Sequence, residues 1–438
     1  MKKQTKYKHS SIKNTKFINS EDLYQHFLDK NSILVKIHDQ IDFSFVNDIC
    51  DDIYVEEGQH AYLPELVFRV SFIQYLKGGI SDNEIVRQCK TNLEYRYFCD
   101  LAIDDDVFDD CKLSRFRKEL GEKRFKEIFA KIVEKIYAAG LVSKNDVQYM
   151  DSFLFLADVK VISINALLSK SISQVLTDLK MSDMELEEDL KKRDFELSEE
   201  QQKQRFVFLV KKAQALLSSA KKKTNLSPAE KSISILQRIV KERAEIQDQE
   251  VRRKENTEEK DKIVNISDVD ARMMGKDSRN IVPRYKSFVS MNKVGFITAT
   301  DVAIATVYDG HHTPVLIHDL KSRGYTVPQC VGDTHFGDIE LRKSMMIENT
   351  QMIAPYRKNQ VINSCCTEDV MIEAWSYNHT EEYKEHLRIR AHIEPKQGEM
   401  KNFHGMKRAR FRGLEKLKIQ NYLSAIVTNC KKLVATAS

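Results

Sequence analysis

Long apolar runs are missing from this chain of 438 residues. No stretch of about 18 consecutive apolar residues occurs, so no membrane-spanning helix is expected. The N-terminus, Met1 to His9, is basic but leads into no apolar segment, which argues against a signal peptide. Cys-x2-Cys pairs are also missing. The eight cysteines are scattered, with only Cys365 and Cys366 adjacent. That pattern argues against a disulfide framework or a zinc site and fits a reduced cytosolic chain. Nor is there much excess of one charge. Seventy basic residues face 65 acidic ones, a net +5, so nucleic-acid binding must be argued from where the charges lie. Glycine is absent between Gly140 and Gly275, and Pro228 is the only proline there. Without these breakers the region is expected to be helical.

What is present fills two or three domains. The hydrophobic fraction, 42%, is ordinary for a protein with a real core. Residues 1–40 read as a flexible, basic N-terminus. Residues 41–140 read as helical. Pro64 opens an apolar run that closes at Gly78-Gly79, and Ser81-Asp-Asn-Glu84 has the form of a capping box. Helix, glycine turn, helix outlines a helix-turn-helix, although periodicity alone favours a plain bundle. A further helix holds Leu113 to Leu120 and runs past Gly121 to Ala139. In it, Arg115 and Arg117 are candidate phosphate contacts or simply a solvated face.

Val147 to Val159 is apolar on both faces, as in a buried strand, and carries Asp151. Residues 166–262 alternate in charge and carry capping boxes at Ser182–Glu185 and Ser227–Glu230, so two to four long amphipathic helices are expected. Strand-like composition returns at Ser287 to Val307, and Leu316 to Ser322 reads as helix. Val327-Pro-Gln-Cys-Val-Gly-Asp333 reads as a short strand ending on an aspartate.

The segment Arg390-Ala-His-Ile-Glu394-Pro-Lys-Gln-Gly-Glu-Met-Lys401 places a carboxylate between two cations. On an ideal helix the three lie within about 40° of one another. Such a set suits a site that holds a metal and a phosphate together. Two-metal phosphoryl chemistry takes carboxylate ligands from separated strands and helices. Asp151, Asp333 and Glu394 meet that demand only if the fold gathers them, because 182 and then 61 residues separate them. Asp158 and Asp338 are nearby competitors, each more in keeping with an exposed or capping residue. From Lys396 to Lys418, eight cations stand against Glu399 and Glu415, interleaved with Phe403, His404 and Phe411. The run is a plausible phosphate footprint. His311, His312 and His335 read as turn or core residues rather than ligands.

Together these motifs resemble the insertion-sequence DDE transposases over residues 40–433. Pro64, Gln74 to Glu84, Tyr95-Arg-Tyr-Phe98 and Ser114-Arg-Phe-Arg117 follow the order of that family's helical N-terminal domain. Asp151 takes the place of the first catalytic aspartate. Val331-Gly-Asp333-Thr-His-Phe336 resembles the context of the second, and Arg390, Glu394 and Lys401 match an Arg-x3-Glu-x6-Lys core. The resemblance implies an α/β fold in which an RNase H-like mixed sheet is flanked by helices. The sheet domain would span residues 141–165 and 263–438, with a helical DNA-binding domain at 41–140 and a charged helical insertion at 166–262.

It also implies metal-dependent cleavage and strand transfer at transposon ends. Asp151, Asp333 and Glu394 would hold Mg2+ or Mn2+, while Arg390, Lys401, Lys407, Arg408, Arg410, Arg412, Arg115 and Arg117 would contact DNA. The partners would be double-stranded DNA, as terminal inverted repeats and target, and a second copy in a synaptic complex, with the protein in the cytoplasm at the nucleoid. Four positions depart from the family pattern: Leu387, Phe153, His335 and Pro395. Residues before proline avoid the α conformation, so the helix is expected to begin or bend beside Glu394. A catalytically inactive DNA-binding descendant and a stand-alone nuclease of the same fold are the competing readings.

Overall fold

The computed structural model describes residues 19–53, 62–220, 229–247, 250–254, 261–275, 280–356 and 369–437. Cys365, Cys366, Ser227 and Pro228 lie outside them. Two helices, α1 (Ser20–Phe27) and α2 (Ile33–Gln40), fall in the stretch expected to be loose. Asn19 and Ser32 cap them by accepting from Asp22 N and Leu34 N. Leu34, Val35 and Ile37 of α2 are buried, so burial of an apolar face overrides the polar composition.

Five more helices follow: α3 (Phe45–Cys50), α4 (Pro64–Leu76), α5 (Asp82–Thr91), α6 (Leu93–Phe98) and α7 (Asp110–Ala138). Pro64 starts α4 where an amide N–H would have no partner in the helix. Gly78 and Gly79 end it at φ +80° and +73°, the left-handed region that favours glycine. The Ser81 hydroxyl caps α5 by accepting from Glu84 N at 3.1 Å. Helix α7 is bent at Gly121, with φ +62°.

After β1 (Gln148–Leu156) the chain leaves the sheet for α8 (Ile164–Asp178), α9 (Met184–Asp189), α10 (Glu199–Ala220) and α11 (Glu230–Arg243). An antiparallel pair, β2 (Ala244–Gln247) and β3 (Glu250–Arg253), follows, where only helix was expected. These helices bury a core of their own, which includes Leu168, Val175, Leu209 and Leu236.

The chain then returns through β4 (Arg272–Met274), β5 (Val282–Met291) and β6 (Ile297–Ile304). Next come α12 (Asp309–Ser322), β7 (Gln329–Val331), α13 (Ile339–Ile347) and β8 (Gln351–Ile353). Helices α14 (Asp369–Tyr377), α15 (Glu381–Arg390), α16 (Ile393–Phe403) and α17 (Leu414–Ala437) complete it. The strand order is β4-β5-β1-β7-β8, with β6 also on β5. Pairing is antiparallel around β5 and parallel from β1 through β7 to β8. This is the expected α/β architecture, a mixed RNase H-like sheet with helices.

Helix α17 joins the N-terminal helices to the sheet. Tyr422 packs on Phe129 of α7, and the Asn421 side chain donates to Thr300 and accepts from Ser287 on the strands. One hydrophobic core therefore runs from Leu34 to Val434, shared by the helices expected as a separate DNA-binding domain and by the sheet. The glycine turn of the expected helix-turn-helix is covered: a Cβ on Gly79 would lie 3.3 Å from Gly405 and from the Arg410 side chain.

Candidate active site

The parallel ladder between β1 and β7 pairs Gln148 with Cys330 and Tyr149 with Val331. Two residues further along each chain come Asp151 and Asp333, side by side in that register. Side chains alternate across a strand, so Asp151 shares a face with Tyr149, Phe153 and Phe155. Asp333 sits just past the end of β7. Its carboxylate accepts from His335 N at 2.7 Å and caps the turn Thr334–Phe336. Gly332 before it leaves no room for a side chain, because a Cβ would fall 2.3 Å from the Phe336 ring.

Asp151 is held in the middle of its strand and accepts from Ser152 N at 2.8 Å. Burial raises its pKa to about 6. The negative charges of Asp333 and Asp309 push in the same direction, while the Ser152 N–H and the Arg390 guanidinium oppose them. Two neighbouring carboxylates, one of them half-buried and short of positive charge, fit a hard divalent cation. Mg2+ is commonly held by one or two carboxylates, with waters and phosphate oxygens completing its shell.

Arg390, Glu394 and Lys401 do not lie on one straight helix. Helix α15 ends at Arg390, Ala391 and His392 turn the chain, and α16 begins at Ile393. Pro395 falls in the first turn of α16, where its missing N–H has no helical carbonyl to reach. Glu394 is exposed near that helix's N-terminus, as the proline led one to expect. Seven residues on, Lys401 places its ammonium 4.6 Å from the centre of the Phe153 ring, two residues along β1 from Asp151. Phe153, the bulky departure from the family pattern, thus makes a seat for the lysine. The Arg390 Nε is buried without a hydrogen-bond partner. Among the described residues, no group of three or more His, Cys, Asp or Glu side chains is placed to hold a metal ion.

Three polar residues of this region carry no motif and went unread in the sequence. Ser152 Oγ donates to Asp309 at 2.7 Å, and Lys286 Nζ lies 3.2 Å from the same oxygen. Asp309 opens α12 seven residues earlier than that helix was expected to start.

The basic tail divides into exposed and committed cations. Lys407 to Ala409 extends beside the end of β1, with Leu156 N donating to Lys407 O and Ala409 N to Leu156 O. This lays Lys407 and Arg408 on the surface next to that strand. Arg408 and Arg412 are exposed and reach Asp158 at 3.4 and 3.6 Å. Lys396 pairs with Glu399, and Lys418 with Glu122 and Asp301. Burial alone would raise the Glu399 pKa, but His404, Lys396 and Lys431 together hold its carboxyl well below the usual range. Arg410 is half-buried beside Asp82. Arg115 is exposed on α7, whereas Arg117 is buried, bonded to Asp82 and 4.8 Å from the centre of the Phe411 ring. Arg117 therefore joins the tail to the N-terminal helices rather than facing solvent.

No helix among the described residues is long and apolar enough to cross a membrane. No curated protein and no solved structure matches the chain. Two family models do. A transposase domain (DUF772) matches residues 21–119, which hold Arg115 and Arg117. A transposase DDE domain matches residues 275–430, which hold Asp333, Arg390, Glu394 and Lys401. Asp151 and the insertion lie between the two matches. With one transposase domain over its N-terminal helices and another over its sheet and tail, the chain belongs to the insertion-sequence DDE transposases.

Proposed function

We propose that this transposase cuts and joins DNA at the ends of its insertion sequence, with Asp151 and Asp333 holding Mg2+ or Mn2+. The observation that supports the reading is the β1–β7 pairing, two residues beyond which come a half-buried, underneutralised Asp151 and, as a charge acting on it, Asp333. A divalent cation bound there would activate the attacking water or 3′-hydroxyl and offset charge on the leaving oxygen. Arg390 would bring positive charge to the phosphate next to Asp151. Lys401, fixed over Phe153, would hold the strand being cut. Exposed Lys407, Arg408 and Arg412 would follow the backbone away from the site, and Arg115 would add a contact on α7. Such contacts position the duplex without reading its bases. Glu394 would enter the site with the substrate as the third carboxylate. Two copies would hold the paired ends in a synaptic complex, in the cytoplasm at the nucleoid.

The test is cleavage and joining of a duplex that carries the element's terminal repeat, with Mg2+ or Mn2+ present. Asp333→Ala should abolish both steps, and undiminished activity would sink the assignment. The exposure of Glu394 favours one competing reading, a DNA-binding descendant without activity. That protein would bind the repeat in a salt-sensitive way and leave it uncut. Cutting without joining or end preference would instead indicate a nuclease of the same fold.

A further inference from the structure

Directly behind Asp151, on the opposite face of β1, lies a nearly buried charged group. Ser152 stands across from Phe288 of β5, and Leu154 across from Lys286, so Ser152 and Lys286 share that face. The Lys286 ammonium donates to Val307 O at 2.8 Å and lies 3.2 Å from Asp309 Oδ1. Ser152 Oγ donates to the same Asp309 oxygen at 2.7 Å. The Lys286 and Asp309 side chains are only 10% and 14% exposed. A buried ion pair is a poor device for stability, because desolvation consumes most of what the attraction returns. Its retention here coincides with its position. The backbone N–H of Ser152 is the donor that fixes Asp151, and Asp309 fixes the side chain of the same serine.

We propose that Asp309 is a positioning residue for the aspartate pair. Through Ser152 it orients the Asp151 carboxylate, and its charge, offset by Lys286, adds to the pull of the pair on a divalent cation. The inference rests on reading Asp151 and Asp333 as the metal-holding residues. Partners one step removed from a metal ligand commonly change metal affinity by about 10- to 100-fold.

The experiment is a Mn2+ binding isotherm on the full chain without DNA, with a urea unfolding curve for each variant. Asp309→Asn keeps an acceptor for Ser152 but loses the charge, and should weaken Mn2+ binding by about 10-fold. Asp309→Glu should restore much of that loss. Ser152→Ala keeps the charge but loses the orienting bond, with an expected loss of about 3-fold, smaller because one neutral hydrogen bond is removed. If Asp309→Asn does not fold, the Ser152→Ala isotherm decides. The proposal is overturned if both variants bind Mn2+ like the parent while Asp333→Asn loses binding. In that case the aspartate pair stands and Asp309 has only a structural role. If Asp151→Asn and Asp333→Asn also bind like the parent, the metal-holding pair itself is wrong, and the role of Asp309 falls with it.

Discussion

Two aspartates, one buried and one half-buried, sit in different parts of this molecule and have opposite surroundings. Asp189, in the insertion, is 1% exposed. Arg205 grips it through Nε at 2.9 Å and Nη2 at 2.8 Å, and Ser169 donates to it as well. A second acid, Asp194, holds the far side of the same guanidinium. Asp151, in the sheet, has one backbone N–H, a neighbouring carboxylate and only a share of Arg390. Burial alone thus does not mark a functional carboxylate. On the reading proposed above, partial burial without enough counter-charge does, because the protein carries a cost there that a bound cation would remove. The insertion spends its ions on its own core, and the sheet leaves one short.

That contrast can be broken most forcefully at Arg205. Arg205→Met should destabilise the insertion by on the order of 3–5 kcal/mol, since it strands a buried charge. Hydrogen exchange should show residues 164–253 opening while the sheet stays protected, because the insertion has its own core. A loss below about 1 kcal/mol, the range of exposed ion pairs, would mean Asp189 is not the satisfied partner described.

Asp151→Asn should act in the other direction. In chelator at pH 7 it should stabilise the protein by about 1–3 kcal/mol, the range for a pKa raised by roughly two units. The sign follows from linkage. The folded pKa of about 6 lies above the ordinary 3.8, so ionisation of Asp151 costs the folded state stability above pH 6. The parent should regain that stability as pH falls from 7 toward 4, and Asp151→Asn should lack this contribution. Denaturant midpoints measured across that window decide the point. Identical slopes in the two proteins would contradict it.

The smallest effects separate exposed from committed cations. Lys407→Ala and Arg115→Ala should leave stability within about 0.5 kcal/mol. Each should reduce the salt dependence of duplex binding by about one ion. Arg117→Ala should lower stability instead, because Asp82 loses its closest cation and Phe411 the guanidinium over its ring. Equal salt slopes for all three variants and the parent would remove the distinction.

Several features were legible because they are local. Pro64, the glycine pair and the Ser81 box set the ends of α4 and α5. Pro395 marked the break beside Glu394. Asp333 stood at the end of a short apolar run, and Asp151 inside a longer one. Other features were not legible. Glu245 to Arg253 reads as more charged helix, and only the antiparallel pairing of its two ends makes it strand. Arg115 and Arg117 look alike in sequence, two positions apart on one helix, yet one is exposed and the other buried against the tail. Asp309 lies in no motif, and its meaning comes from Ser152 and Lys286, each distant in the chain.

By itself, then, the sequence determined where helices start and stop, which strands are buried and which acids carry the family's spacing. Those depend on neighbours a few residues apart. The tertiary structure alone decided that Asp333 follows a strand paired beside the one that carries Asp151, and which cations remain exposed. Strand register across 182 residues and the meeting of α16 with β1 come from packing between distant segments, and no local pattern encodes them.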